Sequence, residues 1–323
     1  MAESADPSPH SFVPPPRTGP RDSGDGWVED GTGRKFWGRF GAAGLLAHDP
    51  ARGVLLQHRA NWSHFGGTWG LPGGAKHAGE TSVDGAIREA NEEAGVPTSA
   101  LGLKFTSKLD LGFWSYTTVV ADVTTQFDAV VADAESIEVR WVPLDEVGAL
   151  PLHPGFESAW HDLEGELGRP TVLVVDSANV VGSRPNGWWR DRLGATNTFA
   201  SALQRRAALG FTGDSLGIGL PGTRWWPETV LVVEGQARGA ALPVDPTDAG
   251  STYQTGVGVR ILPAERDGDQ AIVDAVRGYF AATTLPVAPR VFVVTADREL
   301  ESRVTALGAS VHGPAWLWAL LDE

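Results

Sequence analysis

Gly74-Ala-Lys-His-Ala-Gly-Glu80-Thr-Ser-Val-Asp-Gly-Ala-Ile-Arg88-Glu89-Ala-Asn-Glu92-Glu93-Ala-Gly95-Val96 decides how the first half of this chain is read. Glu89, Glu92 and Glu93 stand at i, i+3 and i+4, so on a helix they share one face within about one turn. Side-by-side carboxylates repel one another, and such crowding is easiest to understand if a divalent cation cancels the repulsion. A solvated acidic face is the ordinary meaning of a Glu-rich helix. The glycine turn in front of this one is what sets it apart.

The flanking residues support a helix of this extent. Thr81 followed by Asp84 reads as a weak capping box, and Gly95 with Pro97 just beyond reads as a stop. Ala86, Ile87, Ala90 and Ala94 give an apolar side that packs on a sheet while the acidic side faces a cleft. Upstream, Gly41 to Leu46 and Val54 to Gln57 read as strands around a turn at His48-Asp-Pro-Ala-Arg-Gly53. Trp69-Gly-Leu-Pro-Gly73-Gly74 then brings a tight turn whose backbone can approach a phosphate or a metal closely.

The pattern Gly, five residues, Glu, seven residues, Arg-Glu-aliphatic-x-Glu-Glu-x-Gly-aliphatic resembles the signature of the Nudix hydrolase family. The resemblance implies an α/β/α sandwich with a mixed sheet over residues 36–165. It implies that Glu89, Glu92 and Glu93 hold Mg²⁺ or Mn²⁺, and that Glu80 holds Arg88 in an ion pair beside them. Gly73 and Gly74 would form the phosphate turn. The chemistry implied is attack of water on a diphosphate bridge of a nucleotide, with oxidised purine nucleotides the first expectation. A further carboxylate often comes from a loop in this family, and Glu135 and Glu138 are the candidates, Glu135 being preferred. Trp62, Phe65, Trp69, Trp114 and Tyr116 are aromatic side chains able to stack on a base or to fill a core.

At 323 residues the chain exceeds a usual single domain, so two α/β domains are expected. Residues 1–35 are rich in Pro, Ser, Gly and Asp and read as a disordered tail without a signal peptide. Cysteine is absent, which excludes disulfides, thiolate metal sites and a cysteine nucleophile. No apolar run approaches the roughly 20 residues of a membrane span, so a cytoplasmic protein with no membrane partner is expected. The formal net charge of -14 argues against broad adhesion to duplex nucleic acid. The oligomeric state is left open.

A second rhythm begins after Leu167-Gly-Arg-Pro170. Thr171 to Val175, Thr229 to Val233 and Val291 to Thr295 are continuous β-branched runs, as in strands buried on both faces of a mainly parallel sheet, with helical stretches at Thr198 to Ala208 and Gln270 to Phe280 between them. Asp176, Glu234 and Asp297 follow the strands, and Asp269 opens a helix. In such a sheet the carboxyl ends of the strands form the ligand crevice, where these acids can converge.

The segments Val174-Val-Asp176-Ser-Ala-Asn179, Val232-Val-Glu234-Gly, Gly268-Asp269-Gln-Ala-Ile and Val294-Thr-Ala-Asp297-Arg-Glu-Leu300 resemble PIN-like (NYN-type) nuclease domains. Over residues 170–323 that resemblance implies an α/β/α sandwich in which Asp176, Asn179, Glu234, Asp269 and Asp297 serve a metal-dependent ribonuclease acting on single-stranded RNA. Gln270 stands where such domains often carry a second acid, which leaves as the alternative a nucleotide-sensing regulatory or RNA-binding protein whose nuclease domain is degenerate. Arg184-Pro-Asn-Gly-Trp188-Trp189-Arg190-Asp-Arg192 offers stacking and phosphate contacts to single-stranded RNA, or equally a lid or an interdomain contact. Gly217-Ile-Gly219-Leu-Pro-Gly222 fits a dinucleotide fingerprint in letters only, because no strand precedes it and no helix follows. The histidines His48, His58, His64, His77 and His153 show no metal-binding interval.

Overall fold

The computed structural model describes residues 23–185, 187–220, 223–243, 258–282 and 287–322. Most of the expected tail, residues 1–22, lies outside them. The part of it from 23 onward departs from a disordered reading, because Trp27–Glu29 pairs antiparallel with Lys35–Trp37. Aromatic contact supplies the missing cohesion: Trp27 and Trp37 pack edge to face at 5.2 Å, and Phe36 lies 4.9 Å from Trp114.

The first large sheet is mixed. Ala42–Asp49 runs parallel to Ser115–Val123, which pairs antiparallel with Leu101–Asp110. On its other side the sheet continues through Gly53–Arg59 to Trp69–Gly70, with Ser136–Val142 and Gly73–Ala75 pairing off that path. Period-2 alternation divides Ala42–Asp49 between two cores. Ala43, Leu45 and Ala47 meet Ala86, Ile87, Ala90 and Ala94 of helix Ser82–Ala94, whereas Leu46 joins Phe156, Trp160 and Leu163 of helix Pro154–Glu164. Helix, sheet and helix therefore form three layers.

The second sheet has five parallel strands in the order Arg260–Pro263, Glu228–Val233, Thr171–Asp176, Arg290–Val294, Ser310–His312. Numbered along the chain this is 3-2-1-4-5, a doubly wound arrangement whose order reverses between Thr171–Asp176 and Arg290–Val294. Val172, Val174, Val230 and Val232 face helices Gly268–Ala282 and Arg298–Thr305. Leu173, Val175, Leu231 and Val233 face the opposite way, and their burial on both sides explains the unbroken apolar runs.

That opposite face is shared with the first half. A hairpin, Phe211–Thr212 with Arg224–Trp225, leaves the second half and adds two short strands to the edge strand Leu101–Asp110. Trp225 is 1% exposed and stacks on Phe105 at 4.5 Å. One apolar cluster then runs from Leu56 and Phe156 through Trp225 to Leu173, Phe199 and Phe292. Arg290 closes the seam with two hydrogen bonds to Glu166, at 3.0 and 3.1 Å. Apart from that hairpin, the two sheets belong to segments before and after residues 165–170, yet their cores are continuous.

Candidate metal and phosphate site

Thr81 caps the acidic helix by accepting from the Asp84 amide at 3.1 Å, and its hydroxyl donates to the Asp84 carboxylate at 2.6 Å. Gly95 ends the helix in the left-handed region at φ 65°, with Val96 donating back to Ala90. The chain then returns along the same helix end. Val130 and Ala132 donate to the carbonyls of Ala94 and Glu93, and Ala60 donates to the carbonyl of Glu135 at 2.8 Å. These ties lay the loop 130–135 beside Glu93.

The register of Gly53–Arg59 against Ser136–Val142 slips between His58 and Arg59, an irregularity that re-aims side chains at the rim. The result is a group of three acids, Glu93, Asp133 and Glu135, whose ligand oxygens lie within 4.8 Å of one another. Asp133 is the residue that reading the sequence missed. Its only signal there was the Asp-x-Glu spacing in a loop, which carries no helical or strand periodicity. Glu138 lies elsewhere, opposite His58 on the strand and facing Arg140 at 3.8 Å.

Glu93 is 5% exposed and accepts from the Gly73 amide at 2.8 Å. Burial, with the charges of Glu89 and Asp133 adding to it, pushes its carboxyl far up despite that hydrogen bond and the Arg59 charge. Glu89 is pushed up to about 7, first by burial and then by Glu92 and Glu135, against the pull of Arg88. The turn needs its glycines: a Cβ on Gly74 would stand 2.6 Å from the Glu89 carboxyl carbon, and one on Gly73 2.4 Å from the Gly44 Cα.

Arg88 organises the other acids. Its Nε and terminal nitrogen reach Glu80 at 2.9 and 3.1 Å, a bidentate pair. The Glu80 carboxylate also accepts from the His77 amide at 2.8 Å. Burial raises the Glu80 pKa, and Arg88 and His77 outweigh it, so the net direction is down. Arg88 further bonds Glu89 at 2.8 Å, Glu92 at 3.3 Å and the Ala75 carbonyl at 3.0 Å. Glu89 and Glu92 thus face Arg88, while Glu93 faces Asp133 and Glu135.

The donor set is hard oxygen throughout, which suits Mg²⁺ or Mn²⁺. Glu93, buried, and Asp133, half-buried, both have raised carboxyl pKa values beside Glu135, a repulsion that such an ion would relieve, so the residues fit it. Among the aromatic candidates, Trp69 is 5% exposed, stacked on His58 at 4.7 Å with Arg140 over its ring, and belongs to the core. Trp114 donates to the Trp37 carbonyl at 3.0 Å. Burial raises the Tyr116 pKa, and a Cβ on Gly44 would stand 2.2 Å from its hydroxyl. Trp62 is half-buried and Phe65 is exposed.

In the second half, Asp176 is 5% exposed and accepts from Asn179 at 3.0 Å (backbone) and 2.7 Å (side chain). Thr295 donates to it at 2.9 Å across the point where strand order reverses. Asp297 caps helix Arg298–Thr305, accepting from Glu299 and Leu300 at 2.8 and 2.9 Å. Glu234 accepts from the Gly268 amide at 3.0 Å. Asp269 has its pKa raised by burial first, then by the charges of Asp176, Asp297, Asp267 and Glu234. The acids therefore share one neighbourhood, though more loosely than the first group.

Gln270 is turned away. It donates to Asp274 at 2.9 Å and accepts from Arg303 at 2.6 Å. An open surface depression of about 370 Å³ is lined by Asn179 with Ala178, Gly182, Ser183 and Ala296. Arg184 lies 3.8 Å over Trp318 and pairs with Asp322, and Arg192 lies over Trp188, so these two cations are held by packing. Trp189 is 54% exposed. Of the glycine-rich stretch 217–222, Pro221 and Gly222 lie outside the described residues, and Gly217 caps the short helix Gly213–Leu216. No helix among the described residues is long and apolar enough to cross a membrane.

Residues 38–162 match the NUDIX domain family. Over 153 residues the chain is 50% identical to "Putative 8-oxo-dGTP diphosphatase 3" of Mycobacterium tuberculosis, spanning 44% of this chain and 70% of that protein. It is 40% identical over 159 residues to a "Nucleoside triphosphate pyrophosphatase/Nudix hydrolase fusion protein" of Bifidobacterium longum, spanning 47% of this chain and 33% of that one. Among solved structures, a Nudix hydrolase from M. smegmatis, RenU, is 49% identical and spans 43% of this chain and 92% of that one, with a TM-score of 0.39.

Proposed function

Because this chain belongs to the Nudix family, we propose that its first half is a divalent-metal-dependent pyrophosphohydrolase acting on a nucleoside triphosphate derivative, with an oxidised purine nucleotide as the leading substrate. The meeting of Glu93, Asp133 and Glu135 behind the Gly73-Gly74 turn carries the reading. The name of the M. tuberculosis relative supports the substrate class.

Glu93, Asp133 and Glu135 would hold Mg²⁺ or Mn²⁺, with Glu89 and Glu92 completing the set once they turn from Arg88. Bound there, the ion supplies neutralisation of diphosphate charge and lowers the pKa of the attacking water. Gly73 and Gly74 let the phosphates approach the backbone. The attacking water gives its proton to a carboxylate of this group that the ion leaves free. The P–O bond of the bridge breaks and a phosphate or pyrophosphate leaves. Arg88 keeps the acidic residues in register through Glu80.

Release of phosphate and pyrophosphate from a panel of nucleotides with Mg²⁺ tests this. Glu93→Gln and Asp133→Asn should each lower turnover by about a hundredfold or more with the folded far-ultraviolet circular dichroism spectrum kept. Full turnover in both variants at saturating Mg²⁺ would refute the assignment.

The second half, on the same proposal, is a PIN-like (NYN-type) domain that cleaves single-stranded RNA with a divalent metal at Asp176, Asn179, Glu234, Asp269 and Asp297. Support comes from the 3-2-1-4-5 strand order, from the acids at the strand ends and from their mutual repulsion at Asp269. The engagement of Gln270 by Asp274 and Arg303 favours the other reading, a degenerate nuclease domain in a nucleotide-sensing regulatory or RNA-binding protein. Mn²⁺-dependent cleavage of single-stranded RNA by the full chain, abolished by Asp176→Asn, distinguishes them. Cleavage that survives that substitution would refute the nuclease.

A further inference from the structure

Ahead of the family-matched region, residues 23–37 form a strap across the loop that leads into the acidic helix. Ser23 accepts from the Ala78 amide at 3.0 Å, and Gly24 and Gly26 accept from Arg39 and Gly38 at 2.9 and 2.8 Å. A Cβ on Gly24 would stand 1.9 Å from the Lys76 carbonyl, so the strap lies directly on the Gly74–Glu80 loop. What the strap presents is Trp27, 48% exposed, edge to face with Trp37 and with His64, each at 5.2 Å.

His64 leads to a second exposed ring. Phe65, 45% exposed, lies 4.2 Å from His64 and 4.8 Å from His153. Its φ of 55° makes it the one described non-glycine residue in the left-handed region, a conformation that persists where the surroundings impose it. Burial first, and then the Arg59 charge, push His64 and His153 down, His153 to about 4, so both rings are neutral at pH 7. The two histidines therefore add no charge to the wall.

Arg59 joins this wall to the acidic group. Its Nε donates to the His64 carbonyl at 3.1 Å, it stands opposite Ser136 in the sheet, and the next residue, Ala60, donates to the Glu135 carbonyl at 2.8 Å. Aromatic surface, one cation and a carboxylate metal site thus follow one another along a few residues. That sequence of chemistries matches a base, its phosphates and their metal in a nucleotide.

We infer that Trp27 of the strap and Phe65 form a stacking wall for the base of a purine nucleoside triphosphate, whose phosphates pass Arg59 to reach Glu93, Asp133 and Glu135. A two-ring base offers such rings more stacking surface than a pyrimidine does. The inference rests on the hydrolase reading for the phosphate end and adds the residues that choose the base.

The test is calorimetric titration of the full chain with Mg²⁺ and α,β-methylene-dGTP, alongside inorganic tripolyphosphate, which has no base. Trp27→Ala and Phe65→Ala should each weaken α,β-methylene-dGTP about tenfold. Trp27→Phe should restore it to within about threefold, and tripolyphosphate should bind every variant alike. In turnover KM should rise about tenfold with kcat within about twofold. Unchanged affinity for α,β-methylene-dGTP in Trp27→Ala and Phe65→Ala, or equal weakening of tripolyphosphate, overturns the wall while leaving any measured hydrolysis in place. Base-dependent binding without hydrolysis of dGTP or its oxidised form supports the wall and defeats the hydrolase reading.

Discussion

Replacing Glu89 by Gln should stabilise the metal-free protein at pH 8 and leave it unchanged at pH 5. The carboxyl is pushed from 4.5 to about 7, with burial the largest cause. A raised carboxylate pKa means that the folded state holds its proton more tightly than the unfolded chain, so ionising Glu89 costs stability as pH rises through the interval from 4.5 to about 7. A displacement of about 2.5 pH units at about 1.36 kcal/mol each gives about 3 kcal/mol, fully expressed above pH 7. Gln keeps the volume and carries no charge, while Arg88 keeps Glu80 as its bidentate partner.

His153 works in the opposite sense. Its pKa is pushed down to about 4, so its contribution is complete above 6.5 and fades as pH falls toward 4. That term is common to both proteins, and the difference between them isolates Glu89. For a chain of this length about 3 kcal/mol corresponds to roughly 6 °C in melting temperature. Thermal melts with EDTA at pH 5, 6.5 and 8 should show the gain growing with pH. Mg²⁺ should erase it at pH 8 by stabilising the wild type more than the variant, since an ion bound only by the folded state adds its binding energy. A variant no more stable than wild type at pH 8 in EDTA, or equally more stable at pH 5, would refute the argument.

Glu80→Gln removes the bidentate partner of Arg88, whose pair has side chains 20% and 13% exposed, and should cost about 2 kcal/mol in melts near neutrality. The Glu80 pKa is lowered, so this loss should shrink as pH falls below 4.5; a dead enzyme with an unchanged melt would instead place Glu80 in the chemistry. Gly74→Ala sets a Cβ 2.6 Å from the Glu89 carboxyl carbon and should cut nucleotide turnover about tenfold or more through misplacement, with turnover within twofold of wild type as the contrary result. Trp225→Ala opens a cavity beside Phe105 and should cost about 3–5 kcal/mol in a single melting transition reported alike by nucleotide turnover and by far-ultraviolet circular dichroism. Two separate transitions would show that the halves do not share a cooperative core.

Local periodicity explains what the sequence disclosed. The helix expected from Thr81 to Gly95 is present as Ser82–Ala94, because its cap, its apolar side and its glycine stop all lie within one contiguous stretch. The three β-branched runs are strands for the same reason, with both faces buried and no alternation required. Asp133 was not legible, since its approach to Glu93 depends on hydrogen bonds from Val130 and Ala132 to the helix end and on a register slip at His58/Arg59. None of these leaves a mark in residue spacing.

The hairpin Phe211–Thr212 with Arg224–Trp225 was hidden in a different way. Two-residue strands are too short for alternation to register, and the partner that gives them meaning, Leu101–Asp110, lies over a hundred residues earlier. Their role is nevertheless thermodynamic for both halves. Leu101–Asp110 would otherwise end the first sheet as an exposed edge, and Trp225 would lose its stack on Phe105. A metal ion that stabilises either acidic group therefore stabilises a core continuous with the other. Whatever chemistry each group performs, neither half can loosen at this seam without exposing apolar surface of its neighbour.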